Sequence, residues 1–235
     1  MPGYHWMPDG LKIRAQTRRG RVDAVALKRE LPALTETESM PDSIIPDIAA
    51  RHAEYIRATG TNEDMAASVE LCRFLVQWCA AYRPRRIADL GSGITSWTLR
   101  TWRDAEHPTC EVVSVDDNPD WLARSREFSA AAGTGQVGFF TWDQFLQGPA
   151  AGTDFDLVVY DFGSVRVRAA LMQHAFDLVA PGGAIVCDDI HKARIWRAAR
   201  SAGQRSGFSG RSLREQTCDS KGRFAWLARH SGRVG

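Results

Sequence analysis

No apolar run in the chain approaches the roughly 18 residues that cross a bilayer, so a membrane-spanning helix is excluded. The first residues, with Tyr4, His5, Asp9 and Lys12, lack the hydrophobic stretch of a secretory signal. The expectation is a soluble, cytoplasmic protein with no membrane partner. Cysteine is sparse: Cys72, Cys79, Cys110, Cys187 and Cys218 are five in number and never form C-x-x-C. That argues against a disulfide framework and a zinc ribbon, and for reduced, mostly buried thiols. Neither sign of charge dominates, with a net formal charge of +2. Lys12 to Arg29 and Lys192 to Arg214 are nonetheless arginine-rich, as basic faces or as solvated surface. There is no internal repeat and no low-complexity tract. The G-x-x-x-x-G-K-[ST] pattern is absent, which removes support for a P-loop triphosphate site.

What is present fits one α/β domain with an N-terminal extension, because 235 residues with 44% apolar content bury one good core. Residues 1–44 read as the extension, basic and punctuated by Pro2, Pro8, Pro32 and Pro41, with one short helix around Val22 to Leu31. Residues 45–235 read as the folded domain. Helical spacing runs from Asp47 to Ala58 and from Glu63 to Tyr82. Met65, Val69, Cys72, Val76 and Cys79 form the stripe of the second helix, Asn62 is its N-cap, and Pro84 ends it. Strand-like runs follow at Arg86 to Leu90, Glu111 to Asp116, Val137 to Thr141, Phe155 to Tyr160 and Ala184 to Cys187, separated by helix-length segments. This is the βαβ alternation of a parallel sheet covered on both faces. Ser212 to Thr217 and Arg223 to Arg229 are two further strands, joined by 218–222 as a hairpin.

Ile87-Ala88-Asp89-Leu90-Gly91-Ser92-Gly93-Ile94-Thr95-Ser96 spells a strand, a tight turn and a helix start. Two glycines let a ligand approach the backbone, and the following helix offers unpaired N–H groups. Ser96 stands where the third glycine of G-x-G-x-x-G belongs, which argues against a dinucleotide. Asp-Leu-Gly-Ser-Gly resembles motif I of the class I S-adenosylmethionine (SAM)-dependent methyltransferases. Their fold is a Rossmann-like, doubly wound, seven-stranded α/β sheet, mostly parallel and closed by a C-terminal antiparallel hairpin.

The resemblance implies a cofactor site at Asp89, Gly91, Ser92, Gly93 and Ser96. Asp89 would meet the amino end of the methionine moiety, or else order the turn through local bonds. Asp116 ends the second strand about 20 residues beyond the glycines, where a carboxylate accepts from ribose hydroxyls. Asp117 either shares that work or is an exposed loop carboxylate. Asn118-Pro119 reads as helix initiation. Asp143, after the third strand, would accept from the adenine amino group, and Trp142 would stack on adenine or serve the core or a lid.

Asp161 follows the fourth strand and Asp188-Asp189 the fifth, and three carboxylates at one sheet edge need a cation or a proton between them. The positions resemble those of catechol-type and related small-molecule O-methyltransferases. That likeness implies Mg²⁺ held by Asp161, Asp188 and Asp189, lowering the pKa of an acceptor hydroxyl. Two departures stand out: Asp189 replaces the Asn of catechol enzymes, and Phe162-Gly163-Ser164 lacks their catalytic lysine. A metal-free relative of the fold stays open. His191 is placed as general base, further ligand or structural residue, and Asp161 with His191 would carry the chemistry. Trp196 on the next helix is a candidate to line or cover the acceptor pocket. The expected function is methyl transfer from SAM to a hydroxyl of a small molecule or natural product, with a homo-oligomer left open. The alternatives are a nucleic-acid methyltransferase using the basic segments, and a non-catalytic SAM-binding module. Against the former, the fourth strand runs into Tyr-Asp-Phe-Gly and no Pro-Cys occurs.

Overall fold

The computed structural model describes residues 9–36, 44–149 and 154–230. The expectations attached to Tyr4, His5, Pro2, Pro8 and Pro41 lie outside the described residues. In chain order the elements are α1 (Asp9–Glu30), α2 (Pro32–Glu36), α3 (Ile48–Thr59), α4 (Val69–Tyr82), β1 (Arg86–Leu90), α5 (Ile94–Glu106), β2 (Glu111–Asp116), α6 (Pro119–Ala131) and β3 (Phe139–Thr141). They continue with α7 (Trp142–Gln147), β4 (Phe155–Tyr160), α8 (Val165–Asp177), β5 (Val179–Cys187), α9 (Ala193–Arg205), β6 (Phe208–Ser212), α10 (Arg214–Thr217) and β7 (Trp226–His230).

The seven strands form one sheet in the order β3-β2-β1-β4-β5-β7-β6. The first five in that order pair in parallel, while β7 runs antiparallel to both β5 and β6. Its central strands read as apolar runs because both faces are covered: Ile87, Ala88, Leu90, Leu157, Val158, Val159 and Tyr160 are all buried. One core lies against α3, α4 and α5, with Tyr55, Phe74, Trp78 and Trp102 as its large members. The other lies against α7, α8 and α9, built on Phe145, Phe155, Phe176 and Trp226. Every cysteine is free, and four of the five are buried.

Local chemistry sets the helix starts. Ser68 Oγ accepts from Leu71 N at 3.1 Å, Ser164 Oγ from Val167 N at 3.3 Å, and Asn118 caps α6 with Pro119 in its first turn. The helix expected from Glu63 therefore begins later, at Val69. Asn62 instead turns the preceding loop, its side chain accepting from Asp64 N at 2.9 Å. Met65 leaves the buried stripe for solvent at 70% exposure, whereas Cys72, Val76 and Cys79 stay in the core.

Two other expectations are corrected. The segment Ser212 to Thr217 is not a strand: β6 lies earlier, at Phe208–Ser212, and residues 214–217 form the short helix α10. Gly210 explains why β6 is so weakly apolar. A Cβ there would sit 1.9 Å from the Trp226 ring, so the edge strand gives up its side chain to the neighbouring indole. The short helix expected at Val22 to Leu31 is part of the 22-residue α1. Leu27 and Leu31 are buried, Asp23 accepts from Ser212 N at 2.9 Å, and Arg211 pairs with Glu30 at 2.6 Å.

Beneath the β1–α5 turn lies a buried polar network. Asp89 is fully buried and accepts from Thr95 Oγ1 (2.9 Å), Ser96 Oγ (2.5 Å) and Ser114 Oγ (3.0 Å). Arg100, equally buried, donates to the same Ser114 Oγ at 2.7 Å and to the carbonyls of Ser96, Val112, Val137 and Gly138. Its guanidinium lies 3.9 Å from the Phe139 ring centroid. Replacing Arg100 with methionine strands those carbonyls and leaves Asp89 without its cation. The expected loss in denaturant-induced unfolding is about 3–5 kcal/mol. A loss below about 1 kcal/mol, the range of an exposed pair, would show that the network is not a structural keystone.

Candidate active site

The strand order reverses between β1 and β4, and ligands of doubly wound sheets bind at that crevice. Here the glycine turn abuts the end of β4. Gly91 has φ 108°, and a Cβ on it would lie 2.5 Å from the carbonyl oxygen of Asp161. Only glycine permits this approach. Gly93 is different: its backbone is extended, and a built Cβ would meet only Tyr55 Oη, at 3.6 Å. Nothing within the protein requires a glycine there, so its missing side chain serves to keep the turn's outer face open.

That face forms a narrow cleft walled by Tyr55, Ala66, Ala67, Trp121 and Asp161. The loop carrying Ala66 and Ala67 is held by the segment before β7. Lys221 pairs with Asp64 and with Glu63, and Arg223 Nη1 donates to the carbonyls of Asp64 (2.8 Å) and Ala66 (3.1 Å). Trp121 Nε1 donates to the Ser92 carbonyl at 3.0 Å, fixing the turn from α6.

The residues expected to hold a cofactor fall into two groups. Asp89 and Ser96 are wholly buried beneath the turn, their side chains engaged with each other, with Thr95 and Ser114, and with Gly93 N. In this arrangement they order the turn. Asp116 belongs to the other group: it ends β2, its Oδ2 accepts from Ser92 Oγ at 3.1 Å and its Oδ1 from Asn118 N at 3.0 Å. Burial pushes its pKa up to about 6, against the pull of those hydrogen bonds. Asp117 is exposed beside Gly163, where a built Cβ would lie 2.9 Å from its Oδ2. Asp143 is exposed in the first turn of α7, two residues past Thr141, the register partner of Asp116. Trp142 stacks into the second core, 4.7 Å from Phe162 and 5.4 Å from His174. Trp196 packs edge-on against Trp226 and under Arg19 of α1, and is not among the residues that line the cleft.

At the other strand ends, β4 and β5 deliver the expected carboxylates side by side: Asp161 N donates to Leu90 O, and Asp188 N to Tyr160 O. The cation between them is a side chain. Arg168, in the first turn of α8 and only 7% exposed, folds back over the end of β4. Its Nη1 pairs with Asp161 and lies 3.1 Å from Asp189 Oδ2. Its Nη2 donates to the carbonyls of Asp161 (3.0 Å) and Gly163 (3.1 Å), and Nε to that of Phe162 (3.3 Å). Lys192 sets a second cation on Asp189. Asp188 Oδ1 accepts from Asp189 N at 2.6 Å.

The three carboxylates expected to hold a metal do not form a ligand cluster here. Two of them already share a guanidinium, and no group of three or more His, Cys, Asp or Glu side chains able to hold an ion occurs among the described residues. The electrostatics follow the same division. Burial raises the pKa of Asp161 and Asp188, the latter with help from the neighbouring Asp161 and Asp189. Burial also works against ionised Asp189, but its bond to Lys192 and the Arg168 charge bring it below the usual carboxylate range. His191 Nδ1 is 3.6 Å from Asp189 Oδ1 and makes no hydrogen bond. Burial lowers the imidazole pKa, opposed by Asp189 and aided by Lys192 and Arg223, which favours the neutral ring.

Sequence reasoning missed Tyr55, Trp121, Arg168, Lys192 and Arg223. Arg168 had a readable signal: a basic residue one helical turn past the N-cap that follows an acidic strand end.

No protein-family model and no curated protein matches the sequence. Solved structures do match. Cofactor-bound Rv0187 from MTB is 22% identical, covering 90% of this chain and 96% of that one at a TM-score of 0.59. TomG from Streptomyces achromogenes, an O-methyltransferase involved in tomaymycin synthesis solved in complex with SAM, is 20% identical over 92% and 99% of the two chains, with a TM-score of 0.58. An O-methyltransferase from Bacillus cereus in complex with SAH is 16% identical over 91% and 98%, with a TM-score of 0.56. At such identities the likeness establishes architecture: the chain has the Rossmann-like, seven-stranded fold of these methyltransferases.

Proposed function

We propose that the protein binds SAM across the glycine turn and transfers its methyl group to a hydroxyl of a small molecule. The observation that carries this reading is the juxtaposition at Gly91, where an open-faced glycine turn touches the strand end that bears Asp161, with Asp188 and His191 on the next strand's exit. The structural likeness to SAM- and SAH-bound O-methyltransferases supports the choice of cofactor. The residues fit it: Gly93 leaves the turn floor clear, and Asp116 offers a half-satisfied carboxylate at the second strand's tip.

Bound SAM would supply an electrophilic methyl on a sulfonium. The chain's part is to bring an acceptor oxygen into line with that carbon, exclude water and take the acceptor's proton. Asp116, with Asp117 beside it, would hold the ribose, and Asp143 the adenine edge. His191, without a partner on Nδ1 and with a pKa that burial lowers, would receive the proton. Asp161 is tied to Arg168 and shapes the cleft wall instead of moving a proton. A nucleic-acid acceptor finds little support, since the basic segments spend Arg19, Lys192 and Arg211 on Asp23, Asp189 and Glu30 of the same chain.

Calorimetric SAM binding followed by transfer of labelled methyl to a panel of phenolic, enolic and sugar hydroxyls tests the reading. SAM that fails to bind, or label that goes only to RNA or DNA, overturns it. His191→Gln is expected to lower kcat by about 100-fold or more while leaving SAM affinity unchanged.

Asp116 gives a second prediction. Its carboxylate is ionised above about pH 6 and protonated below, and only the ionised form accepts from both ribose hydroxyls. SAM affinity should be flat from pH 7 upward and weaken below pH 6 by up to about tenfold per unit. Asp116→Asn should bind about 10- to 100-fold more weakly and lose that pH response. An unchanged affinity in this variant would remove Asp116 from the site.

A further inference from the structure

We infer that Arg168 is a resident cation that takes the place of a divalent metal between the ends of β4 and β5, holding Asp161 and Asp189 in position for the site. This goes beyond the methyl-transfer reading, and only its catalytic meaning rests on that reading.

Three observations carry it. First, the guanidinium is bonded on every nitrogen. Nε and Nη2 are fixed by the carbonyls of Phe162, Asp161 and Gly163, which leaves Nη1 aimed at the two carboxylates. Swinging the side chain aside to admit an ion would strand those buried carbonyls, so it cannot behave as a mobile surface arginine. Second, its own backbone is fixed by the start of α8 and by the last residue of β4. Arg168 N donates to Ser164 O at 2.8 Å, and Tyr160 Oη donates to Arg168 O at 2.8 Å. Third, Asp189 sits in the left-handed region at φ 60°, an uncommon conformation for a residue with a side chain. Arg168 and Lys192 both hold its carboxylate there. A divalent ion at this place would have to coexist with a buried positive charge already in contact with its ligands. Arg168 is therefore a positioning residue, and an acceptor hydroxyl meets side chains at this edge instead of a Lewis acid.

The test uses Mn²⁺ alone on the full chain, without SAM or acceptor, so its outcome is separate from that of the methyl-transfer reading. Free Mn²⁺ is followed by electron paramagnetic resonance. The wild-type protein should bind no equivalent more tightly than about 1 mM, the weak end for protein divalent sites. Arg168→Gln, shown to be folded by circular dichroism, should gain one Mn²⁺ that Asp188→Ala in the same background removes. A merely structural arginine would not create that gain. Wild-type protein that binds one Mn²⁺ tightly, with loss on Asp188→Ala, overturns the inference, as does a folded Arg168→Gln that gains none. Where Arg168→Gln does not fold, Arg168→Lys replaces it: the retained charge should keep Mn²⁺ out, and tight Mn²⁺ binding by this variant overturns the inference equally.

Discussion

The structure depends on keeping one buried negative charge satisfied. Asp89 ends the apolar run of β1 with no access to water, and burial raises its pKa, an effect that the hydroxyls of Ser96, Thr95 and Ser114 and the Arg100 charge oppose. Isolated, such a carboxylate would not be tolerated in a core. Its partners come from α5 and from β2, while Arg100 carries the network on to the carbonyls of β2 and of the residues before β3. One buried carboxylate, joined to Arg100 through the Ser114 hydroxyl, thus ties β1, β2 and α5 together beneath the turn that floors the cleft.

A second buried arginine repeats the device on the opposite side of the switch point, with a different result. Arg100 spends both terminal nitrogens on Ser114 Oγ and on buried carbonyls, with Nε left without a partner. Arg168 compensates Asp161 and Asp189 but leaves Asp188 with only a backbone donor and His191 Nδ1 with none. The two arginines each offset buried carboxylate charge in a near-neutral chain.

Much of this was legible in the sequence where a single physical rule governed the residues. β1, β2 and β4 have the expected boundaries because buried parallel strands must be continuous apolar runs, and Asn118-Pro119 starts α6 because its chemistry is local. Features that depend on distant packing were not legible. β6 was misplaced because Phe208–Ser212 has its apolar content supplied by Trp226 across the sheet. The helical stripe of α1 is blurred in the sequence because its exposed face includes Val22 and Val25 among arginines. Met65 fitted the helical period by coincidence, since Ser68 caps the helix three residues later. At the site, the carboxylates and the glycine turn were readable by type and spacing. The identity of their cation was not, because it reaches the strand end only through the fold-back of an arginine from α8.

The docking of α1 bears on the order in which the protein is assembled. Asp23 is bonded to a backbone amide 189 residues further along, and Glu30 to Arg211 across a similar span. The helix thus finds its partner only after 181 or more further residues have been synthesised. The β6 edge, once formed, stays uncovered until the helix arrives. Closing so long a loop is slow relative to local contacts, which makes seating α1 a late event in folding. The interval before it is when the nascent chain is most exposed to edge-to-edge association.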